Sequence, residues 1–382
     1  MEKQRLRVWV GCFAAVVAVA LLVGSFDKDV AAVAQDPRGD VIPLDGLDPV
    51  LLTQGKEMPG KPALAVTRGQ YKYLFAGDET KALFEKDPER YEIQLGGTCA
   101  RMGPQVGSNP DLFAVYKGRI YVFGSDECQR LFQATPEKYL EPTAAELAAS
   151  PEARKEGQSL IERAVAAAGG SGKIDGLTSY QETVLTTTRT PQGDSQYRTV
   201  TVRVFPDSVR REQARSFGTI ITVVAPAGAF TVFQSDTRSN LRPIGDFQRA
   251  DLEKQLKRDI IQVLRARRQP DFKVAVVAGS KSGDGAPRQL DVGFASVRLR
   301  LGVDPSTGRI LTMSYVGRNP GNGEIGEIVQ TFSDFRDVSG LSLPFKVTGT
   351  FNGAADSQQN YTVETISVNG KVDPALFEKP KP

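Results

Sequence analysis

Residues 297–351 carry the clearest pattern in the chain. Val297-Arg298-Leu299-Arg300-Leu301-Gly302-Val303 alternates apolar and polar side chains with a period of two. Asp304-Pro305-Ser306-Thr307-Gly308-Arg309 reads as a turn, and residues 310–316 as the returning strand. Further on, Leu341, Leu343, Phe345, Val347 and Phe351 share one face of a strand, with Ser342, Lys346, Thr348 and Thr350 on the other. Such alternation marks antiparallel strands with one dry and one wet face. The dry face must be covered by another sheet, by a helix or by an apolar ligand.

The same reading extends over most of the C-terminal half. Strands are expected from Leu177 onward, punctuated by Pro206-Asp207 and by Ala225-Pro226-Ala227-Gly228. One interruption, 246–268, repeats Leu252, Leu256, Ile260 and Leu264 every four residues, which predicts a single amphipathic helix. Its other face holds Lys254, Lys257, Arg258, Arg265, Arg267 and Arg268, a surface that is either solvated or attractive to anionic lipid. Upstream, Leu160, Ile161, Ala164, Val165 and Ala168 lie at helical spacing before Gly169-Gly170, so 143–170 reads as linker and helix.

Closer to the N-terminus the chain repeats itself. Tyr73-Leu74-Phe75-Ala76-Gly77-Asp78-Glu79 returns as Tyr121-Val122-Phe123-Gly124-Ser125-Asp126-Glu127. At the same spacing Leu83-Phe84 matches Leu131-Phe132, Pro88-Glu89 matches Pro136-Glu137, and Tyr91 matches Tyr139. Each copy predicts a β-hairpin and a short helix capped by Asp78 or Asp126. Two such copies make one tandem module.

Composition narrows the chemistry. The 382 residues include 48 basic, 45 acidic and no histidine. A near-balanced charge gives no reason to expect nucleic acid as a partner. Without histidine, Ser-His-Asp and Cys-His catalysis and every histidine-bearing metal site are excluded. Asp334 and Asp337 flank Phe335-Arg336 and read as turn residues rather than an acid–base pair. No glycine-rich phosphate loop or nucleophile elbow occurs, and no cofactor is implied.

Lys3, Arg5 and Arg7 precede an apolar run over 8–26, and Ala32-Val33-Ala34 follows it. That order is a secretory signal peptide over 1–34; the alternative is an uncleaved inner-membrane anchor formed by 8–26, with membrane contact there. Either way the folded part is periplasmic or secreted. Residues 35–47 are expected to be a tether. Cys99 and Cys128 remain, and in an oxidising compartment they are expected to pair as a disulfide, worth about 3 kcal/mol. Free buried thiols, or a soft-metal site made by Cys99, Met102 and Cys128, are the alternatives.

Two family resemblances sit on these motifs. Asp48-Pro49-Val50, the repeated Tyr-x-Phe strand, the Leu-Phe pair and the Pro-Glu-(Arg/Lys)-Tyr ending resemble the YHS family over 48–142. That family's cysteines belong to a metal-binding or metal-sensing module. Here Leu51, Ala76, Thr80 and Gly124 stand at positions where that family has cysteine, and only the cysteine at Cys128 is kept. Val303-Asp304-Pro305-Ser306-Thr307-Gly308, the run 331–344 and Val368-Asn369-Gly370-Lys371-Val372-Asp373 resemble the LolA/LolB half-barrel family over 171–382. This second resemblance implies an apolar cavity that receives acyl chains.

The expected fold is therefore α+β: a small tandem β-hairpin/helix module, then a curved antiparallel half-barrel with covering helices. The expected function is non-enzymatic binding of a lipid, an acylated protein or an apolar peptide in the concave face. Phe230, Val232, Leu299, Leu301, Leu343, Phe345 and Phe351 are the candidate lining. Envelope metal handling through the first module, or an accessory role beside an envelope protein partner, are the competing readings.

Overall fold

A computed structural model describes residues 41–144, 146–190, 193–279 and 286–380. The leader expected over 1–34 lies outside the described residues. Among the described residues no helix is long and apolar enough to cross a membrane.

The sequence repeat is a structural repeat. A short helix α1 (Pro49–Thr53) comes first. Strands β1 (Lys61–Arg68) and β2 (Tyr71–Phe75) then form a hairpin that leads into helix α2 (Asp78–Lys86) and a turn of helix α3 (Pro88–Tyr91). The second unit has β3 (Asn109–Tyr116), β4 (Arg119–Phe123) and α4 (Asp126–Ala134). Gly77 and Ser125 occupy the N-cap positions, which places Asp78 and Asp126 in the first turn and not at the cap as expected. Carboxylates there still face the positive end of the helix dipole. Phe84 and Phe132 are each fully buried against the rings of their own hairpin.

Residues 41–47, expected to be part of a tether, belong to this fold. Val41 bridges Tyr71, and Leu44 is fully buried in the first unit's core. The reason is a left-handed turn with φ of 63°, 52° and 73° at Leu44, Asp45 and Gly46, which turns Leu44 inward. The same turn recurs at Leu95, Gly96 and Gly97, with φ of 57°, 61° and 72°.

Helices α5 (Pro151–Ala167) and α6 (Ser171–Asp175) lead into a long antiparallel sheet. Its strands are β5 (Ser179–Thr190), β6 (Gly193–Val204), β7 (Ser208–Arg215), β8 (Gly218–Ala225), β9 (Gly228–Gln234) and β10 (Ser239–Pro243). Helices α7 (Asp246–Leu256) and α8 (Ile260–Ala266) interrupt them. Then come β11 (Lys273–Val276), β12 (Arg288–Phe294), β13 (Val297–Val303), β14 (Ile310–Arg318), β15 (Ile325–Val338), β16 (Leu341–Phe351), the stub β17 (Ala354–Ala355) and β18 (Tyr361–Val368). The spatial order is β10-β9-β8-β7-β6-β5-β18-β16-β15-β14-β13-β12-β11, with β17 on β16. Strands β10 and β11 are the two edges, so the sheet is curved and unclosed.

The expected single helix over 246–268 is two helices. The Asp259 side chain accepts from the Gln262 amide and caps α8. The break lets Leu252 and Leu256 pack on Val209, Val224 and Ala229, while Ile261, Val263 and Leu264 join a different cluster. That cluster is the main core. Helices α5, α6 and α8 lay Leu160, Ile161, Ile174 and Leu264 on Leu290, Leu299, Leu301, Met313, Phe332 and Leu343. Gly157 makes the approach of α5 to β11 close, since a Cβ there would lie 2.9 Å from the Ala275 Cα.

Arg318 joins the two halves. Its guanidinium donates to the carbonyls of Arg101 (2.7 Å), Gly323 (2.7 Å) and Tyr139 (3.0 Å). Lys138–Glu324 and Gln248 to the Pro104 carbonyl support the same junction. Arg318→Ala leaves three carbonyls without this donor and is expected to cost about 2–3 kcal/mol. Limited proteolysis should then cut faster within 141–150 than in the parent chain.

The turn after β13 is held by Asp304. Its carboxylate accepts from the Ser306 amide and hydroxyl and from the Thr307 amide and hydroxyl. These donors, the Ser306 hydroxyl foremost, hold its pKa at about 2. The folded value lies below the unfolded one, so the stabilisation is complete above the unfolded carboxylate range of about 3.9. It is lost as pH falls through the folded value. The difference in Tm between the parent and Asp304→Ala should be present at pH 5 and shrink toward pH 2 in thermal unfolding.

Candidate ligand cavity

The side chains expected to line an open hollow separate into different environments. Leu301 and Leu343 are 0 % and 2 % exposed inside the main core, covered by the helices rather than by a ligand. The space remaining between α5, α8 and β16, beside Ala164, Leu264 and Pro344, is only about 20 Å³, which is room for a single water. Phe230 and Val232 lie in another cluster with Ile221 and Val223, against Phe377 of the C-terminal segment. Their strand partners settle the face: Phe230 pairs with Val223, whereas its neighbour Ala229 pairs with Val224 and meets α7. Phe230 and Val232 therefore point away from the covering helix. Phe345 is buried with the Arg336 guanidinium 4.5 Å from its ring centre. Phe351 is half-buried opposite Ile328 on β15. Leu299 alone among the seven lines a large cavity.

That cavity has a volume of about 1000 Å³. This reaches the upper end of the roughly 300–1,000 Å³ of small-molecule sites. It lies between the segment around 141–153 and strands β11 to β14. Val276, Val292, Leu299, Leu147 and Val316 supply apolar surface. Charged groups share the lining, with Lys254 and Arg258 from the α7–α8 region and Arg298 and Arg300 from β13. Arg300 is paired with Asp291 at 2.8 Å, and Glu146 reaches Lys273 at 3.0 Å across the side. An elongated molecule with an apolar body and a polar end matches such a lining in chemistry.

The basic helix face is neither a free solvated surface nor a free lipid-attracting one. Arg267 donates to both oxygens of Asp175 at 2.7 and 2.8 Å, which holds that carboxyl below its usual range. Arg268 reaches Asp175 as well, at 2.7 Å. Arg265 donates to the carbonyls of Ile174 and Leu177. Arg258 lies over Tyr315 at 4.3 Å and donates to the Val316 carbonyl. Lys254 pairs with Glu141, and Lys257 with Glu253. Only Arg267 is nearly sealed, at 5 % exposure, whereas Arg268 keeps 66 % of its side chain exposed, so the face is paired throughout but buried only in part.

Cys99 and Cys128 are both buried and unpaired by a disulfide in the structure. Met102 packs against the same small core, so the three residues of the alternative soft-metal set do come together. Among the described residues no group of three or more His, Cys, Asp or Glu is arranged to hold a metal ion. Asp337 accepts from the Gly340 amide at a turn, as expected, whereas Asp334 lies within β15, where its φ is 53° and it pairs with Arg336 at 2.6 Å.

No protein-family profile matches the chain, and no curated protein matches it. Solved structures with a similar arrangement do exist. They include a candidate outer membrane lipoprotein-sorting domain from Vibrio parahaemolyticus, with a TM-score of 0.38, 10% identity, and coverage of 59% of this chain and 97% of that one. A LolA superfamily protein from Nitrosomonas europaea gives 0.39 and 15%, covering 58% and 97%. A DUF1329 family protein from Desulfovibrio piger gives 0.38 and 16%, covering 58% and 96%.

The segment around 141–153 was missed as a cavity wall because its Pro, Ala and Glu residues carry no strand or helix period before α5. Only its position in space reveals it. Leu301→Ala and Leu343→Ala are each expected to destabilise the fold by about 2–5 kcal/mol while leaving the cavity unchanged. Denaturant unfolding, with apolar-probe binding to the folded fraction, checks both parts.

Proposed function

We propose that this chain is an extracytoplasmic, non-enzymatic binding protein that holds a lipid, an acylated protein or an apolar peptide. The observation that carries the reading is the cavity of about 1000 Å³ with apolar and charged lining beside β11 to β14. The cavity opens to solvent along one side, and a cleft of that size has room for a bound molecule. Apolar surface around it gains by being covered, at roughly 25 cal/mol per Å². The charged groups around it suit a polar headgroup, or the backbone next to an acylated residue. The cavity, and not the apolar strip under α5 and α8, is the proposed binding place. Residues 1–34 serve as the export leader, or 8–26 as the anchor, and 48–142 as a tandem YHS-like module attached to the LolA-like half.

The test is to purify the chain without detergent, extract it with organic solvent and identify what is released by mass spectrometry. Recovery of a stoichiometric amphiphile is expected. Ala149→Trp, which places an indole in the cavity wall, should lower that yield and weaken binding of a fluorescent fatty-acid probe. A chain that carries no amphiphile and binds the probe no better than Ala149→Trp does would sink the reading.

A further inference from the structure

The two N-terminal units share a buried junction between the left-handed turn and the start of the following helix, and the residues at that junction have diverged. In the first unit Asp48 follows the turn Leu44-Asp45-Gly46 and is fully buried. Its carboxylate accepts from the Ala76 amide at 2.8 Å and from the Thr80 hydroxyl at 2.6 Å. In the second unit the equivalent turn Leu95-Gly96-Gly97 leads to Cys99, and the positions of Ala76 and Thr80 are taken by Gly124 and Cys128. Cys99 and Cys128 pack in the second unit's core, near enough for each thiol to shift the titration of the other. A carboxylate–hydroxyl pair with no redox chemistry has thus become a pair of thiols in the same cradle.

The surroundings make the two sulfurs unequal. Cys128 sits in the first turn of α4, with the Ser125 hydroxyl beside it and the Arg101 guanidinium 3.7 Å from its sulfur. The Cys99 thiol, Ser125 and Arg101 pull the Cys128 thiol below its usual range, while the neighbouring Cys128 and burial push Cys99 up. Cys128 keeps 8 % of its surface exposed, and Cys99 is sealed. Of the two residues, the less deeply buried one is therefore also the one whose thiolate is favoured.

We propose that Cys99 and Cys128 form a dithiol site oxidised by small hydroperoxides, with Cys128 attacking and Cys99 resolving. The Cys128 thiolate attacks the distal peroxide oxygen, the O–O bond breaks, and the departing alkoxide takes a proton from water to leave as alcohol. Arg101 offsets the charge that develops there. The Cys99 thiol then attacks the sulfenic sulfur, its proton leaves with the hydroxyl as water, and the S–S bond forms. In sum, two thiols and one hydroperoxide give one disulfide, one alcohol and one water. The disulfide anticipated from the sequence is then the oxidised state of this site.

The experiment uses the full chain, reduced and freed of reductant, treated with one equivalent of hydrogen peroxide. Loss of both free thiols and a Cys99–Cys128 cross-link in peptide mapping are expected. With a sulfenic-acid trap present and peroxide below one equivalent, the label should fall on Cys128 in the unaltered chain. This arm does not depend on a variant folding. Cys99→Ser should accumulate the Cys128 adduct, and Cys128→Ser should lose it. Persistent free thiols, or a label on Cys99 first, overturns the proposal. Oxidation by glutathione disulfide but not by peroxide overturns the hydroperoxide assignment.

Discussion

The fold depends on keeping the apolar stripe of β11 to β16 away from water. Helices α5, α6 and α8 do this, and their positions are set by ion pairs as much as by packing. Arg267, with its side chain only 5 % exposed, ties the end of α8 to Asp175, the last residue of α6, and to Glu162 of α5. A guanidinium so buried is tolerable because it is paired on more than one side. Losing one partner would leave a desolvated charge between three helices, so the cover and its charge network stand together.

Filling the stripe moves the available space elsewhere. The helices leave no room on Leu301 and Leu343, whereas the stretch between the N-terminal module and α5 borders an open cavity beside β11 to β14. The module bears on that cavity through its attachment. Arg318 ties the end of β14 to carbonyls of Arg101 and Tyr139, and the stretch that follows Tyr139 begins the cavity wall.

The tandem module shows how a repeat can keep its backbone and change its chemistry. The hairpins, helices and left-handed turns recur, because each unit buries a Phe against its own hairpin. The junction inside each unit is free to vary as long as its buried groups find partners. Asp48 finds them in an amide and a hydroxyl, while Cys99 shares its core with a second thiol, Cys128.

Much of this was legible along the chain. The period-two alternation at 297–303 and 341–347 defined strands and their buried faces, and the spacing of Leu160, Ile161, Ala164 and Val165 defined the inward side of α5. The repeat defined two equal units, because matching residues meet matching environments. What covers a buried face is a different question, since alternation is the same under a helix, a ligand or another sheet. Only the tertiary structure assigned Leu301 to a packed core, turned Phe230 to the opposite face, split the helix at Asp259 and gave the arginines of 258–268 their carboxylate and carbonyl partners. Those outcomes depend on partners distant in sequence, and on distances that no local pattern encodes.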